Sequence, residues 1–129
     1  MVGYSGTPLP KKLGIKPGSR LLLVDAPEGF ALADLPDGVT EADGEADVIL
    51  AFHTRRAELA EQLPALRGRM DKAAGLWIAW PKRASKVETD ITEDVVRELG
   101  LANTLVDNKV CAIDETWSGL RLVIRLKDR

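Results

Sequence analysis

The chain has 129 residues, 45% hydrophobic and 29% charged, with a formal net charge of −2. These are globular values, they exclude a disordered chain, and the length suffices for one ordinary core, so a single domain over 1–129 is expected. A lone cysteine, Cys111, excludes an internal disulfide, and with one histidine, His53, it leaves no zinc cluster, so no metal is expected. No apolar run approaches the ~18–20 residues that cross a bilayer, and the opening MVGYSGTPLPKKLGIKPG lacks the apolar region of a signal peptide. The expectation is a cytoplasmic protein with no membrane partner.

Charge is unevenly spread. Lys11, Lys12, Lys16 and Arg20 open the chain without an acid, whereas residues 21–50 carry Asp25, Glu28, Asp34, Asp37, Glu41, Asp43, Glu45 and Asp47 without a base. Such runs serve as solvated surface or as complementary partner faces. The acidic balance and scattered aromatics do not make a nucleic-acid face.

Residues 1–10, with two glycines and two prolines, read as an irregular arm, and Tyr4 to Pro8 as a lid, a partner contact or a free terminus. Lys11 to Ile15 reads as a helical turn closed by Gly14, and Lys16 to Ser19 as a turn. The aliphatic run Leu21 to Val24 predicts a strand covered on both faces. Phe30 to Leu35 is read as a short helix and Val39-Thr40 as an edge strand. Val48 to Phe52 is the second buried strand. Thr54 is placed to cap the helix that follows, where Leu59, Leu63, Leu66 and Met70 share one face. Pro64 predicts a kink or a fresh helix start. Leu76 to Trp80 is the third strand, with Trp77 and Trp80 in the core. Thr92 or Asp90 caps the next helix, which Gly100 ends. Val106 to Ile113 and Leu120 to Leu126 pair as a hairpin around Ser118-Gly119.

Alternating strands and helices demand a mostly parallel sheet with right-handed crossovers, and ligands bind such sheets beyond the carboxyl ends of the strands. Four segments reach that rim if the fourth major strand is parallel. Asp25 to Phe30 offers Glu28 as an acceptor and Phe30 as an apolar wall, or is simply a tight turn. His53 directly follows a buried strand, as a base or as a hydrogen-bonded loop residue. Lys82, Arg83 and Lys86 precede a helix N-terminus, as an anion site or a solvated loop. Trp117 sits in a loop, as a contact surface or folded over the hairpin. Cys111, mid-strand, reads as an inert apolar residue.

The segments GYSGTPL, KKLGIKPG, APEGF, WPK, TEDVVRELGL and KVCAIDETWSGLR together resemble a small bacterial family of domains of unknown function, across nearly the whole chain. At fold level the back half, from ADVILAF through GLWIAWP to the closing hairpin, is similar to class I methyltransferases. That likeness implies a Rossmann-like three-layer α/β domain. The major strands, numbered one to five, would take the order 1-2-3-5-4 with the last antiparallel and a short edge strand outside the first. The methyltransferase fold holds its cofactor at a glycine-rich turn after the first strand, with an acid at the end of the next strand for the ribose. Here the turn has one glycine and no such strand is evident. Hence no cofactor is assigned and methyl transfer is not expected. The function expected is a non-catalytic protein binding a protein partner or regulatory ligand through Glu28, Phe30, His53, Lys82, Arg83, Lys86 and Trp117. The alternative is an enzyme or binder for a small anionic ligand held by Lys82 and Lys86, with His53 or Asp25 as base.

Overall fold

A computed structural model describes residues 7–129. The arm and the Tyr4 lid expected near the start lie, for residues 1–6, outside the described residues. A one-turn helix α1 (Leu9–Lys12) is followed by Gly14 in the left-handed region, at φ 83. Strands β1 (Arg20–Val24), β2 (Thr40–Glu41), β3 (Ala46–Phe52), β4 (Met70–Pro81), β5 (Leu105–Ala112) and β6 (Trp117–Ile124) form one sheet in the order β2-β1-β3-β4-β6-β5. Counting only major strands, this is the expected 1-2-3-5-4 order with a short edge strand outside the first. The β1–β2, β1–β3 and β3–β4 pairs are parallel, while β6 is antiparallel to both β4 and β5. The fourth major strand, β5, therefore runs parallel to β4. All four rim segments meet at one end of the sheet.

Side chains alternate between two cores, as strand geometry requires. Ile49, Ala51, Leu76, Ile78 and Trp80 pack under helices α2 (Arg56–Gly68) and α3 (Glu93–Ala102). Val48, Leu50, Phe52, Trp77 and Ala79 face the other way, onto Leu13, Ile15, Phe30, Leu32 and Val39. The second face is thus covered by α1 and by the segment 25–39, which contains no helix. The helix expected over Phe30–Leu35 is absent: Phe30 and Leu32 pack singly onto the sheet, while Ala31, Ala33, Asp34 and Leu35 are exposed. Trp77 is fully buried and its indole N–H donates to the Leu13 carbonyl at 3.0 Å, which ties the N-terminal turn down.

Helix α2 departs from expectation twice. It runs unbroken through Pro64. An interior proline costs ~3 kcal/mol. Burying Leu59, Leu63 and Leu66 contributes ~1.5–3 kcal/mol each, which outweighs that cost. Its first N–H groups are not capped by Thr54. The N-cap position is Arg55, without a side-chain bond, and the Asp90 carboxylate accepts the Arg56 N–H at 2.7 Å from a distant loop. Thr89 reinforces that docking by donating its hydroxyl to the Thr54 carbonyl at 2.6 Å. In α3, Thr92 is the cap, accepting from the Val95 N–H at 3.2 Å. Gly100 does not end α3. It lies inside the helix, fully buried, where an added Cβ would meet Leu122 at 3.0 Å. Ser118 and Gly119 likewise belong to β6, and the hairpin turns at 113–116.

Candidate functional site

The carboxyl ends of β1 and β3, the first half of α2 and the start of β6 surround a cavity of about 700 Å3, lined by Asp25, Pro27, Phe52, His53, Thr54, Glu58, Glu61, Gln62 and Trp117. That volume falls within the ~300–1,000 Å3 of small-molecule sites. Each wall has a local cause. Val24 ends β1, and Asp25 then takes a left-handed conformation at φ 55, with Gly29 at φ 84 further on. A non-glycine residue held there at a cavity mouth marks a position fixed by its surroundings. The Phe30 N–H closes the turn onto the Pro27 carbonyl at 3.0 Å.

Phe52 ends β3 and organises the aromatic wall. Phe30 meets it edge-on with ring centres 4.9 Å apart, and Trp117 meets it at 5.0 Å and 89°. Trp117 is held there by Asp114, whose carboxylate accepts the backbone N–H groups of Thr116 and Trp117, both at 2.8 Å. It is half-buried, opens β6 rather than lying in a loop, and packs on Phe52 while lining the cavity.

His53 extends the β3–β4 ladder by donating its backbone N–H to the Ala79 carbonyl at 3.0 Å. Its side chain is 6% exposed. Nε2 lies against the Gln62 amide oxygen, so Nε2 carries the proton and donates, and Nδ1 is left with a bare lone pair. Nδ1 is buried with no hydrogen-bond partner among the described residues. Burial pushes the imidazole below its ordinary pKa of 6.5; Gln62, Asp25 and Glu58 oppose that shift. The ring is therefore neutral at pH 7.

The remaining sequence candidates are not gathered here. Glu28 and Phe30 stand in the β1 turn outside the lining residues, Glu28 in solvent. Lys82, Arg83 and Lys86 occupy the connection after β4, where the Lys82 N–H donates to the Thr116 carbonyl at 2.7 Å, and none of them lines the cavity. Among the described residues no group of three or more His, Cys, Asp and Glu side chains could hold a metal ion. Cys111 is half-buried and burial raises its thiol pKa, against the pull of Lys12 and Lys109.

The sequence reading passed over Glu58, Glu61 and Gln62. Their signal was present: positions 58, 61 and 62 fall together on one side of the helix, flanking the Leu59–Leu63–Leu66 face. In the fold this polar stripe of α2 becomes the cavity floor.

No family model matches the chain, and no curated relative matches it. Solved structures do. The chain aligns with magnesium protoporphyrin IX methyltransferase from Synechocystis PCC 6803 with bound SAM at a TM-score of 0.59 and 10% identity, over 91% of this chain and 74% of that one. The same protein with bound SAH aligns at 0.57 and 10%, over 84% and 75%. A presumed methyltransferase from Thermoplasma acidophilum aligns at 0.55 and 9%, over 98% and 77%. These likenesses correct the expectation of a non-catalytic binder in which methyl transfer is not expected. The β1 turn borders the cavity through Asp25 and Pro27. Of the residues named for the anionic-ligand alternative, His53 and Asp25 line the cavity and Lys82 and Lys86 do not. Among the described residues no helix is long and apolar enough to cross a membrane. The chain has the α/β Rossmann-like fold of class I methyltransferases, with a six-stranded, mostly parallel sheet.

Proposed function

We propose that this chain binds S-adenosylmethionine at the rim cavity and transfers its methyl group to a small acceptor. The observation that carries this reading is the composition of the cavity. It lies at the carboxyl ends of β1 and β3, where ligands of parallel sheets bind. Three carboxylates and two aromatic rings line it, with no lysine or arginine. The cofactor's sulfonium and ammonium are cations, which carboxylates and aromatic faces both attract. When bound, the cofactor supplies an electrophilic methyl group.

The residues fit that group in a particular way. Asp25, Glu58 and Glu61 would hold the cationic half and the ribose hydroxyls, and Phe52 and Trp117 offer apolar surface to the base. Glu41, at the end of β2, is not available for the ribose. The register sets it beside Leu21, near the amino end of β1 and far from the rim. Glu58 and Glu61 of α2 would take over that task. Gly29 leaves open space where a Cβ would stand, with no atom within 4 Å, so the turn does not crowd the cavity. Gln62 fixes the His53 tautomer, and Phe30 backs the apolar wall by its edge-on contact with Phe52.

Thermal unfolding with S-adenosylmethionine, S-adenosylhomocysteine and ATP tests the proposal. At 100-fold excess over Kd a bound ligand stabilises by ~2.7 kcal/mol. The two adenosyl compounds should raise Tm and ATP should not. No shift with either adenosyl compound at millimolar concentration would overturn it.

A further inference from the structure

We infer that Arg121, Lys109 and Lys12 form a second binding site, for a phosphate-type oxyanion, on the face of the sheet that carries α1, beyond the methyl-transfer reading and independent of it. Arg121 pairs directly with Trp77 of β4 on one side and with Lys109 of β5 on the other, so these side chains leave the same face. The Trp77 indole bonds the Leu13 carbonyl, which brings the end of α1 over that face. There the Lys109 ammonium donates to the Lys12 carbonyl at 3.4 Å. None of the three basic residues lines the rim cavity. Arg121 lies four residues along β6 from Trp117, about 13 Å at the rise of a strand.

Two independent observations distinguish this place from a solvated patch. The first is a seat for the guanidinium. Gly75 stands inside β4, a central strand, where glycine weakens pairing and often marks a close approach. A Cβ there would clash with Arg121 Nε and stand 2.9 Å from its Cζ and Nη2. The half-buried guanidinium therefore lies against the sheet, with Nη1 donating to the Asn108 amide oxygen at 3.3 Å. The second is charge without compensation. Arg20, Arg56, Arg97 and Arg125 each meet a carboxylate within 3.1 Å, whereas among the described residues Arg121 meets none. Asp107 is engaged by Arg97 of α3 and Asp128 by Arg125. Lys109 opposes Arg121 directly, and like charges so placed destabilise a sheet. Burial and the neighbouring Arg129 push the Arg121 pKa below its ordinary value, as for a cation that lacks a counter-ion. An anion relieves that repulsion. The guanidinium fork takes two oxygens at once, and the lysines act as point charges. A carboxylate is used up by the fork, whereas a phosphate group brings a third oxygen and a second charge for the lysines.

Calorimetric titration of the whole chain with inorganic phosphate, glycerol 3-phosphate and acetate, at one ionic strength, tests the site. Wild type should bind both phosphates more tightly than acetate. Tighter binding of glycerol 3-phosphate assigns an ester as the ligand, and equal binding assigns free phosphate. Arg121→Lys keeps the charge but not the fork, and should weaken phosphate about tenfold. Lys109→Gln, a change at an exposed side chain, should weaken it severalfold. The Lys82→Gln/Arg83→Gln/Lys86→Gln variant, at the rim, should bind as wild type does. Circular dichroism checks that each variant is folded, and if Arg121→Lys is not, Lys109→Gln decides alone. No binding of either phosphate at millimolar concentration would overturn the proposal. So would acetate binding as tightly, wild-type affinity in Lys109→Gln, or loss of binding in the rim variant.

Discussion

The Asp90 carboxylate accepts the backbone N–H of Arg56 at 2.7 Å, so the loop before α3 caps the helix that carries Glu58, Glu61 and Gln62. Loss of a side-chain cap costs ~1 kcal/mol. Asp90→Ala should destabilise by about that amount in urea denaturation, and Thr54→Ala by less. Equal losses would place the cap on Thr54 after all.

His53 gives a pH dependence of known sign. Its folded pKa lies below the unfolded value of 6.5 because burial disfavours the charged ring. The unfolded chain then binds more protons at mildly acid pH, so the His53 contribution is fully present above pH 6.5 and is lost as pH falls toward the folded value. Asp47 acts lower down. The Arg20 guanidinium bonds it at 2.8 Å and holds its carboxyl below 3.8, and that stabilisation is lost only as pH falls through the folded value. Tm measured from pH 8 to 5 should fall in the wild type and fall less in His53→Gln. Parallel curves would mean that His53 charges freely in the fold.

Phe52 should be a costly aromatic to lose. It is buried, and its ring meets both Phe30 and Trp117. Phe52→Ala should cost ~3–5 kcal/mol, whereas Phe52→Leu, which keeps most of the volume, should forfeit mainly two edge-on pairs at ~0.5–1.5 kcal/mol each. Denaturant unfolding of the two variants separates these contributions.

Gly119 occupies a crowded site in β6. A Cβ there would stand 2.9 Å from Ile113 and 3.2 Å from the buried Trp77 ring. Gly119→Ala should destabilise by ~1–3 kcal/mol through overpacking. Gly44→Ala is the control, since nothing lies within 4 Å and its φ is not positive. The same unfolding assay should show it within ~0.5 kcal/mol of wild type, as for other surface changes.

Continuous aliphatic runs such as Leu21–Val24 and Val48–Phe52 made the buried parallel strands legible, and Thr92 was legible as a cap because its partner lies three residues away. Asp90 was not, as a cap, for α2. Its partner is 34 positions distant, beyond any local pattern. Gly100 was misread for the same reason: a glycine near a helix end resembles a stop until Leu122 is seen against it. Pro64 misled because local propensity predicts a break, while the three leucines that override it act through tertiary burial. At the site, His53 and Trp117 stood out as rare residue types. Glu58, Glu61 and Gln62 did not, since charges on an exposed helix face are ordinary until a neighbouring loop and hairpin wall them in.

The segment 25–39 has a thermodynamic consequence. It roofs one face of the sheet without a helix of its own, held by a Phe30–Pro27 turn and by side chains pressed singly onto the strands. Such a stretch can lift without melting α2 or α3, so its amides should exchange with deuterium through a low-energy local opening. A ligand seated against Asp25 and Pro27 must first pin that roof down. Slowed exchange over these residues would therefore read out occupancy before any turnover is measured.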